Sequence, residues 1–83
     1  MIFEANRIFL QDDYGKIIAE ITFREVSHDV FVIDHTFVDE SLRGQGMASK
    51  LVQAAVDEIQ SRGGQVRATC SYAAKWLMEH DVI

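Results

Sequence analysis

The chain has 83 residues, 48% of them hydrophobic and 25% charged, a composition typical of one small globular domain over residues 1–83. Its formal net charge of −5 argues against a surface that binds the phosphates of a nucleic acid. One cysteine excludes an internal disulfide, and no apolar run approaches the ~20 residues that span a bilayer. The N-terminus also lacks a signal-peptide pattern, so we expect a cytoplasmic protein that is a monomer or a weak homodimer and has no membrane partner.

The first part of the chain predicts a β-hairpin. Residues 3–11 carry four large apolar side chains among polar ones and are predicted to form the first strand. Residues 12–15, Asp-Asp-Tyr-Gly, provide turn chemistry. From Lys16 to Arg24 apolar and polar residues alternate, which is typical of a half-buried antiparallel strand. Residues 25–29 are predicted to be a polar turn.

A third strand is predicted from Val30 to Val38. Its apolar residues form two sets on opposite faces, with Phe31, Ile33 and Phe37 on one and Val30, Val32 and Val38 on the other. A strand with two apolar faces is expected to be central and covered on both sides. Asp34 and His35 interrupt the apolar run on opposite faces, which marks them as candidate functional residues.

The second half predicts helix, strand and helix. Apolar residues at helical spacing begin at Met47, and Gly63 is suited to end this helix in the left-handed conformation. Residues 66–70 are predicted to form a fourth strand, parallel to the third and joined by a right-handed crossover. Residues 72–80 read as a short helix. The predicted fold class is therefore α+β or α/β, a mixed sheet of about four strands in the element order β-β-β-α-β-α.

The connection between the third strand and the first helix is the glycine-bearing segment Leu42-Arg43-Gly44-Gln45-Gly46-Met47-Ala48. A strand, a glycine turn and a helix together make an anion site, because the helix N-terminus presents unpaired N–H groups and a positive dipole end. A nucleoside-triphosphate P-loop is excluded, because no glycine is followed by Lys and then Ser or Thr. The dinucleotide fingerprint fails as well, since Ser49 stands where its third glycine would be.

The same loop, from Arg43 to Ala48, resembles the Arg/Gln-x-x-Gly-x-Gly/Ala motif of the GNAT superfamily of N-acetyltransferases. Asp34-His35-Thr36-Phe37-Val38 and Cys70-Ser71-Tyr72, with an aromatic-bearing helix ending at His80, are similar to its short single-domain members. The resemblance covers residues 15–81. It implies a minimal GNAT-like fold that binds acetyl-CoA and transfers an acetyl group to a primary amine. Larger relatives carry helices after the first strand, whereas a turn stands there in this chain, so we expect an open acceptor site.

The resemblance also implies which residues contact the coenzyme. Backbone N–H groups around Gly44, Gly46, Met47 and Ala48 would bind the pyrophosphate, and the backbone near Phe37 and Val38 would pair with the pantetheine arm. The full set implied for the coenzyme is Phe37, Val38, Arg43, Gly44, Gln45, Gly46, Met47, Ala48, Ser71 and Tyr72.

Three residues are candidates for catalysis. Acetylation of an amine needs a deprotonated amine, a polarised thioester carbonyl and a proton donor for the leaving thiolate. Tyr72 is the candidate donor, the alternative being a packing tyrosine. Cys70 is either a nucleophile that accepts the acetyl group, if its pKa is lowered, or a small buried hydrophobe. His35 is the candidate base for Cys70 or for the amine, the alternative being a core histidine with one hydrogen bond.

The remaining polar candidates are weaker. Glu20 and Asp34 are reserve bases, of which we expect Glu20 to be solvated and Asp34 to be hydrogen-bonded or at a rim. His28 and His80 have no ligand spacing with a second His or Cys, so no metal site is expected. Trp76 and Leu77 are expected in the core. The rival function is a coenzyme A-binding sensor or interaction module without turnover.

Overall fold

The computed structural model describes residues 1–83 and contains one five-stranded sheet with two α-helices. The elements are β1 Ile2–Phe3, β2 Arg7–Gln11, β3 Ile17–Ser27, β4 Val30–Val38, a 3-10 turn Glu40–Leu42, α1 Met47–Ser61, β5 Gln65–Ala68 and α2 Ser71–Glu79. The strands lie side by side in chain order, and only the pair β4–β5 is parallel. The predicted mixed sheet and fold class are confirmed, and β4 has the predicted bounds.

The sheet has one strand more than predicted because the first strand is interrupted. Ile2–Phe3 pairs back on Phe9 and Ile8, so a turn separates β1 from β2. The Glu4 N–H donates to the Arg7 carbonyl at 2.8 Å, and the two side chains form an ion pair across the same turn. The predicted polar turn of residues 25–29 is also shorter, because β3 pairs with β4 as far as Ser27 and the chain reverses at Asp29, with φ of 59°.

The core lies between one face of the sheet and the two helices. α1 buries one stripe of five side chains, Leu51, Val52, Ala55, Val56 and Ile59. On α2 the buried residues are Ala73, Trp76 and Leu77, so the last two lie in the core as predicted. Neither helix combines the length and the apolar composition that crossing a membrane requires.

A β-bulge interrupts β4 at Asp34. Thr22 of β3 pairs with His35, and the next residue, Phe23, pairs with Ile33, which leaves Asp34 as the extra residue. Because side chains alternate along a strand, one extra residue exchanges the faces of all residues beyond it.

The bulge corrects the predicted faces of β4. Thr36 lies opposite Ile21 on the helix-covered face, whereas Phe37 lies opposite Glu20 on the other face. Phe37 was predicted to share a face with Phe31 and Ile33, and this prediction was wrong. The prediction that both faces are covered was also wrong, since Phe37 is 39% exposed.

β4 and β5 separate at the level of the bulge. β5 pairs with β4 only from Val30 to Ile33, and the last backbone contacts are made by the Thr69 and Cys70 N–H groups, which donate to the Ile33 carbonyl at 3.0 and 3.5 Å. Beyond it, β4 continues through residues 34–38 without a partner strand on that side, while the chain turns into α2. The sheet therefore opens between the C-terminal half of β4 and the start of α2.

Candidate functional site

Two glycines shape the loop that leads into α1. Gly44 has φ of 82°, and Gly46, the N-cap of α1, has φ of 70°. Side chains rarely adopt this left-handed region, which explains the glycines at both positions. A Cβ at either position would have no neighbour within 4 Å, so the space above the loop is open.

The loop presents a continuous row of unpaired backbone donors. The first hydrogen bond of α1 is donated by the Lys50 N–H to the Gly46 carbonyl at 3.1 Å. The N–H groups of residues 44–49 donate to no backbone or side-chain acceptor, whereas the preceding Arg43 N–H donates to the Glu40 carbonyl at 3.1 Å. Unpaired N–H groups at the positive end of a 15-residue helix favour a bound anion.

These donors lie at a pocket of about 430 Å³ between β4, the loop and α2. Seven of the residues implied for the coenzyme line it, namely Val38, Arg43, Gly44, Gly46, Met47, Ala48 and Tyr72. Thr36, Leu42 and Ser49 line it too and were not predicted. Thr36 was missed because its side chain reaches this face only through the bulge.

Three implied coenzyme residues lie outside the pocket lining. Gln45 and Ser71 are exposed, and Phe37 points from the opposite face of β4. The resemblance concerned the backbone near Phe37, however, and that backbone belongs to the part of β4 that has no partner strand on the β5 side.

Cys70 is the N-cap of α2 and is half-buried behind Thr36. Its Sγ lies 3.8 Å from the Thr36 hydroxyl oxygen. Burial of the thiol raises its pKa, but hydrogen bonds from the backbone of Ala73, from the Thr36 hydroxyl and from the backbone of Tyr72 outweigh burial. The net result is a pKa of Cys70 below the ordinary thiol value, which favours the thiolate.

His35 and Cys70 are not brought together. His35 follows the bulge and pairs with Thr22 on the sheet face that no helix covers, whereas Thr36, the neighbour of the thiol, faces the helices. His35 is exposed, so the core alternative for this histidine was wrong. The Cys70 thiol thus lies on the helix-covered side of β4, and the His35 imidazole lies on the other side.

The reserve bases are engaged in ion pairs. Glu20 accepts from Arg7 at 2.9 Å rather than being freely solvated. Asp34 accepts from the Thr22 hydroxyl and lies 3.4 Å from Arg24, as expected for a carboxylate with partners at a rim. No three His, Cys, Asp or Glu side chains converge as metal ligands would.

Comparisons with known proteins show a family and similar folds for this chain. A family model described as GCN5-related N-acetyl-transferase matches residues 7–83. A GCN5-like protein from Staphylococcus aureus is 35% identical, with a TM-score of 0.78 over 96% of this chain and 78% of that chain. The GNAT family N-acetyltransferase YhbS from Escherichia coli, solved in complex with CoA, is 26% identical, with a TM-score of 0.67 over 80% of this chain and 40% of that one.

The curated relatives are longer proteins. Protein NATD1 from Homo sapiens is 29% identical over 62 residues, which make up 75% of this chain and 55% of that protein. The chain thus spans about half the length of the curated relatives it matches. The family match nevertheless includes β4, the glycine loop, α1 and α2, which are all the elements that line the pocket.

Proposed function

The chain belongs to the family of GCN5-related N-acetyltransferases, and we propose that it transfers the acetyl group of acetyl-CoA to a primary amine. The observation that carries this proposal is the row of unpaired N–H groups of residues 44–49 at the mouth of the pocket. A pyrophosphate offers several acceptor oxygens and two negative charges, so it suits these donors better than a single carboxylate does.

The remainder of the pocket fits the thioester arm of the coenzyme. On the side that β5 leaves open, the backbone of residues 34–38 offers hydrogen-bonding groups to the amides of a pantetheine chain. Val38, Leu42 and Met47 supply apolar lining for its methylene and methyl groups. Acetyl-CoA supplies the activated acyl group, and the protein supplies position and proton transfer.

Two side chains serve proton transfer from opposite sides of β4. His35, exposed on the open face, accepts a proton from the incoming ammonium group or its water. Tyr72, in the first turn of α2 and in the pocket lining, donates a proton to the departing sulfur. The amine then approaches from the open face and the thiol departs on the helix side.

Direct transfer to the amine suits this arrangement better than transfer through Cys70. The Cys70 thiolate is favoured by hydrogen bonds, but no histidine or carboxylate contacts it. Incubation with acetyl-CoA and intact-mass measurement decides between the two routes. Direct transfer predicts no acetylated protein and an undiminished rate for Cys70→Ser, whereas an acetyl adduct that Cys70→Ser abolishes would establish the covalent route.

The proposed activity is tested by release of coenzyme A thiol from acetyl-CoA with a panel of primary amines. We expect amine-dependent release and a loss of at least about tenfold in Tyr72→Phe, because the variant lacks the donating hydroxyl. The matched control is Tyr14→Phe, which removes the hydroxyl of a tyrosine 95% exposed at the β2–β3 turn. Tight binding of acetyl-CoA without release for any amine would favour a coenzyme A-binding module instead.

A further inference from the structure

One hydrogen bond joins α2 to the first turn of α1 beside the pocket, which Ser49 lines and Trp76 does not. The Trp76 Nε1–H donates to the Ser49 Oγ at 2.8 Å. Ser49 is the third residue of α1 and lines the pocket beside the unpaired N–H groups. Trp76 is only 5% exposed, so this contact is formed at the edge of the core.

The direction of this bond leaves the serine hydroxyl hydrogen unused. An indole N–H can only donate, so the Ser49 oxygen must be the acceptor. A serine hydroxyl has one hydrogen to donate, and in the structure that of Ser49 donates to no protein acceptor. The bond to Trp76 therefore occupies one lone pair of Ser49 and leaves its hydroxyl hydrogen free for an acceptor in the pocket that Ser49 lines.

We propose that Ser49 donates this hydrogen to a phosphate oxygen of coenzyme A and that Trp76 is the positioning residue that orients it. The proposal rests on the function proposed above. Hydrogen bonds to a charged acceptor are stronger than neutral ones, so the hydroxyl adds materially to the backbone donors.

Trp76 is itself held rigidly. The imidazole of His80 stacks on the indole, with ring centroids 3.8 Å apart and planes 11° from parallel. The His80 Nδ1 lies 2.8 Å from the Trp76 carbonyl oxygen, which fixes the histidine one turn further along the chain. A fixed indole holds Ser49 in one rotamer before the ligand arrives, and such preorganisation favours binding.

The experiment measures binding of coenzyme A, dephospho-coenzyme A and pantetheine by calorimetry. We expect Ser49→Ala and Trp76→Phe each to weaken coenzyme A binding by about five- to tenfold and to leave pantetheine binding unchanged, because pantetheine has no phosphate. Loss of affinity that persists with dephospho-coenzyme A identifies the pyrophosphate as the acceptor. If the variants bind dephospho-coenzyme A as tightly as the wild type does, the acceptor is instead the 3′-phosphate of coenzyme A. Ser61→Ala, at the other end of α1, is the matched control.

The double variant separates positioning from general packing. If Trp76 acts through Ser49, Trp76→Phe has no further effect on coenzyme A affinity in the Ser49→Ala background. A further loss there, or an equal loss for pantetheine, would show a structural role and overturn the proposal. Retained affinity in Ser49→Ala would overturn it too, whereas wild-type protein that binds no coenzyme A would remove the proposed function itself.

Discussion

The two faces of β4 differ in how completely the chain builds them. On the helix-covered face, Thr36 and Val38 meet the glycine loop and α2, and together they enclose a pocket with unpaired donors at its mouth. On the open face, His35 and Phe37 are exposed, and no helix covers them. The single extra residue at Asp34 determines which side chains reach which face.

In the proposed function, acetyl-CoA and the amine approach opposite faces of β4. The polar groups of the helix-covered side are unpaired and converge, as a ligand site requires. The acids of the open side already have partners, with Glu20 bound to Arg7, whose guanidinium also lies 4.1 Å from the centre of the Phe9 ring. The helix-covered face therefore offers a preformed site for the proposed coenzyme, and in the proposed function the amine meets the open face, where His35 is exposed.

The largest expected effect concerns that base. His35→Gln should lower turnover of acetyl-CoA with a primary amine by about 100-fold, since general base catalysis contributes about that much. Coenzyme A affinity should stay unchanged, because His35 lies on the face opposite the pocket. The measurement is the initial rate of thiol release together with the Kd for coenzyme A.

The matched control for His35→Gln is His28→Gln, which alters an exposed histidine in the β3–β4 turn. It should change neither rate nor affinity. A parallel fall of rate and coenzyme A affinity in His35→Gln would show that the two faces are not functionally separate.

The second prediction concerns the glycine loop, for which the chain offers a close control. Gly44 and Gly15 have φ of 82° and 83°, and a Cβ at either would meet no atom within 4 Å. Alanine at each site should therefore cost about the same backbone strain, roughly 1 kcal/mol, and lower Tm equally. Only Gly44→Ala should weaken coenzyme A binding, by about tenfold or more, because the strained loop turns its N–H groups away.

Calorimetric binding and thermal unfolding of both variants check this prediction. Equal weakening of coenzyme A binding in Gly15→Ala and Gly44→Ala would mean that affinity follows stability rather than the geometry of the loop.

The helix-covered face was the more predictable from sequence. The apolar periodicity of α1 and the continuous apolar run of β4 are strong local signals, and their bounds followed from them. The glycine loop was identified because positive φ restricts residue choice at Gly44 and Gly46.

The open face was less predictable because its arrangement depends on strand pairing. The bulge at Asp34 exists only in the register of β4 on β3, and alternation along β4 alone placed Phe37 on the wrong face. On the helix-covered side one contact was equally unpredictable: Ser49 and Trp76 are 27 positions apart, and nothing local indicated that an indole would contact a serine hydroxyl.

The third prediction contrasts two threonines on opposite faces. Thr36→Val removes a hydroxyl that hydrogen-bonds to Cys70 and should raise the pKa of the thiol. The pH midpoint of alkylation by iodoacetamide should then move upwards, and the single cysteine makes the rate unambiguous. Thr22→Val, which removes the hydroxyl beside Asp34, should leave the midpoint in place.

The same lowered pKa links the thiol to stability. A depressed pKa in the folded state stabilises the protein above the ordinary thiol pKa, and this stabilisation is lost as the pH falls through the folded value. Thr36→Val should diminish the rise in Tm over that window. An unchanged alkylation midpoint in Thr36→Val would assign the lowered pKa to the backbone donors of α2 alone.

The smallest expected effect is that of Glu20→Gln. This variant tests whether the Glu20 carboxylate, rather than His35, is the base on the open face. Glu20→Gln should leave turnover unchanged, because the Glu20 carboxylate accepts from Arg7 and is not free to take a proton from the amine. Tm should fall by no more than a few degrees, since solvent still screens this partly buried ion pair. If Glu20→Gln abolishes turnover while His35→Gln does not, the base lies on β3. The acceptor would then be recognised where Glu20 and Phe37 stand opposite each other, away from the bulge.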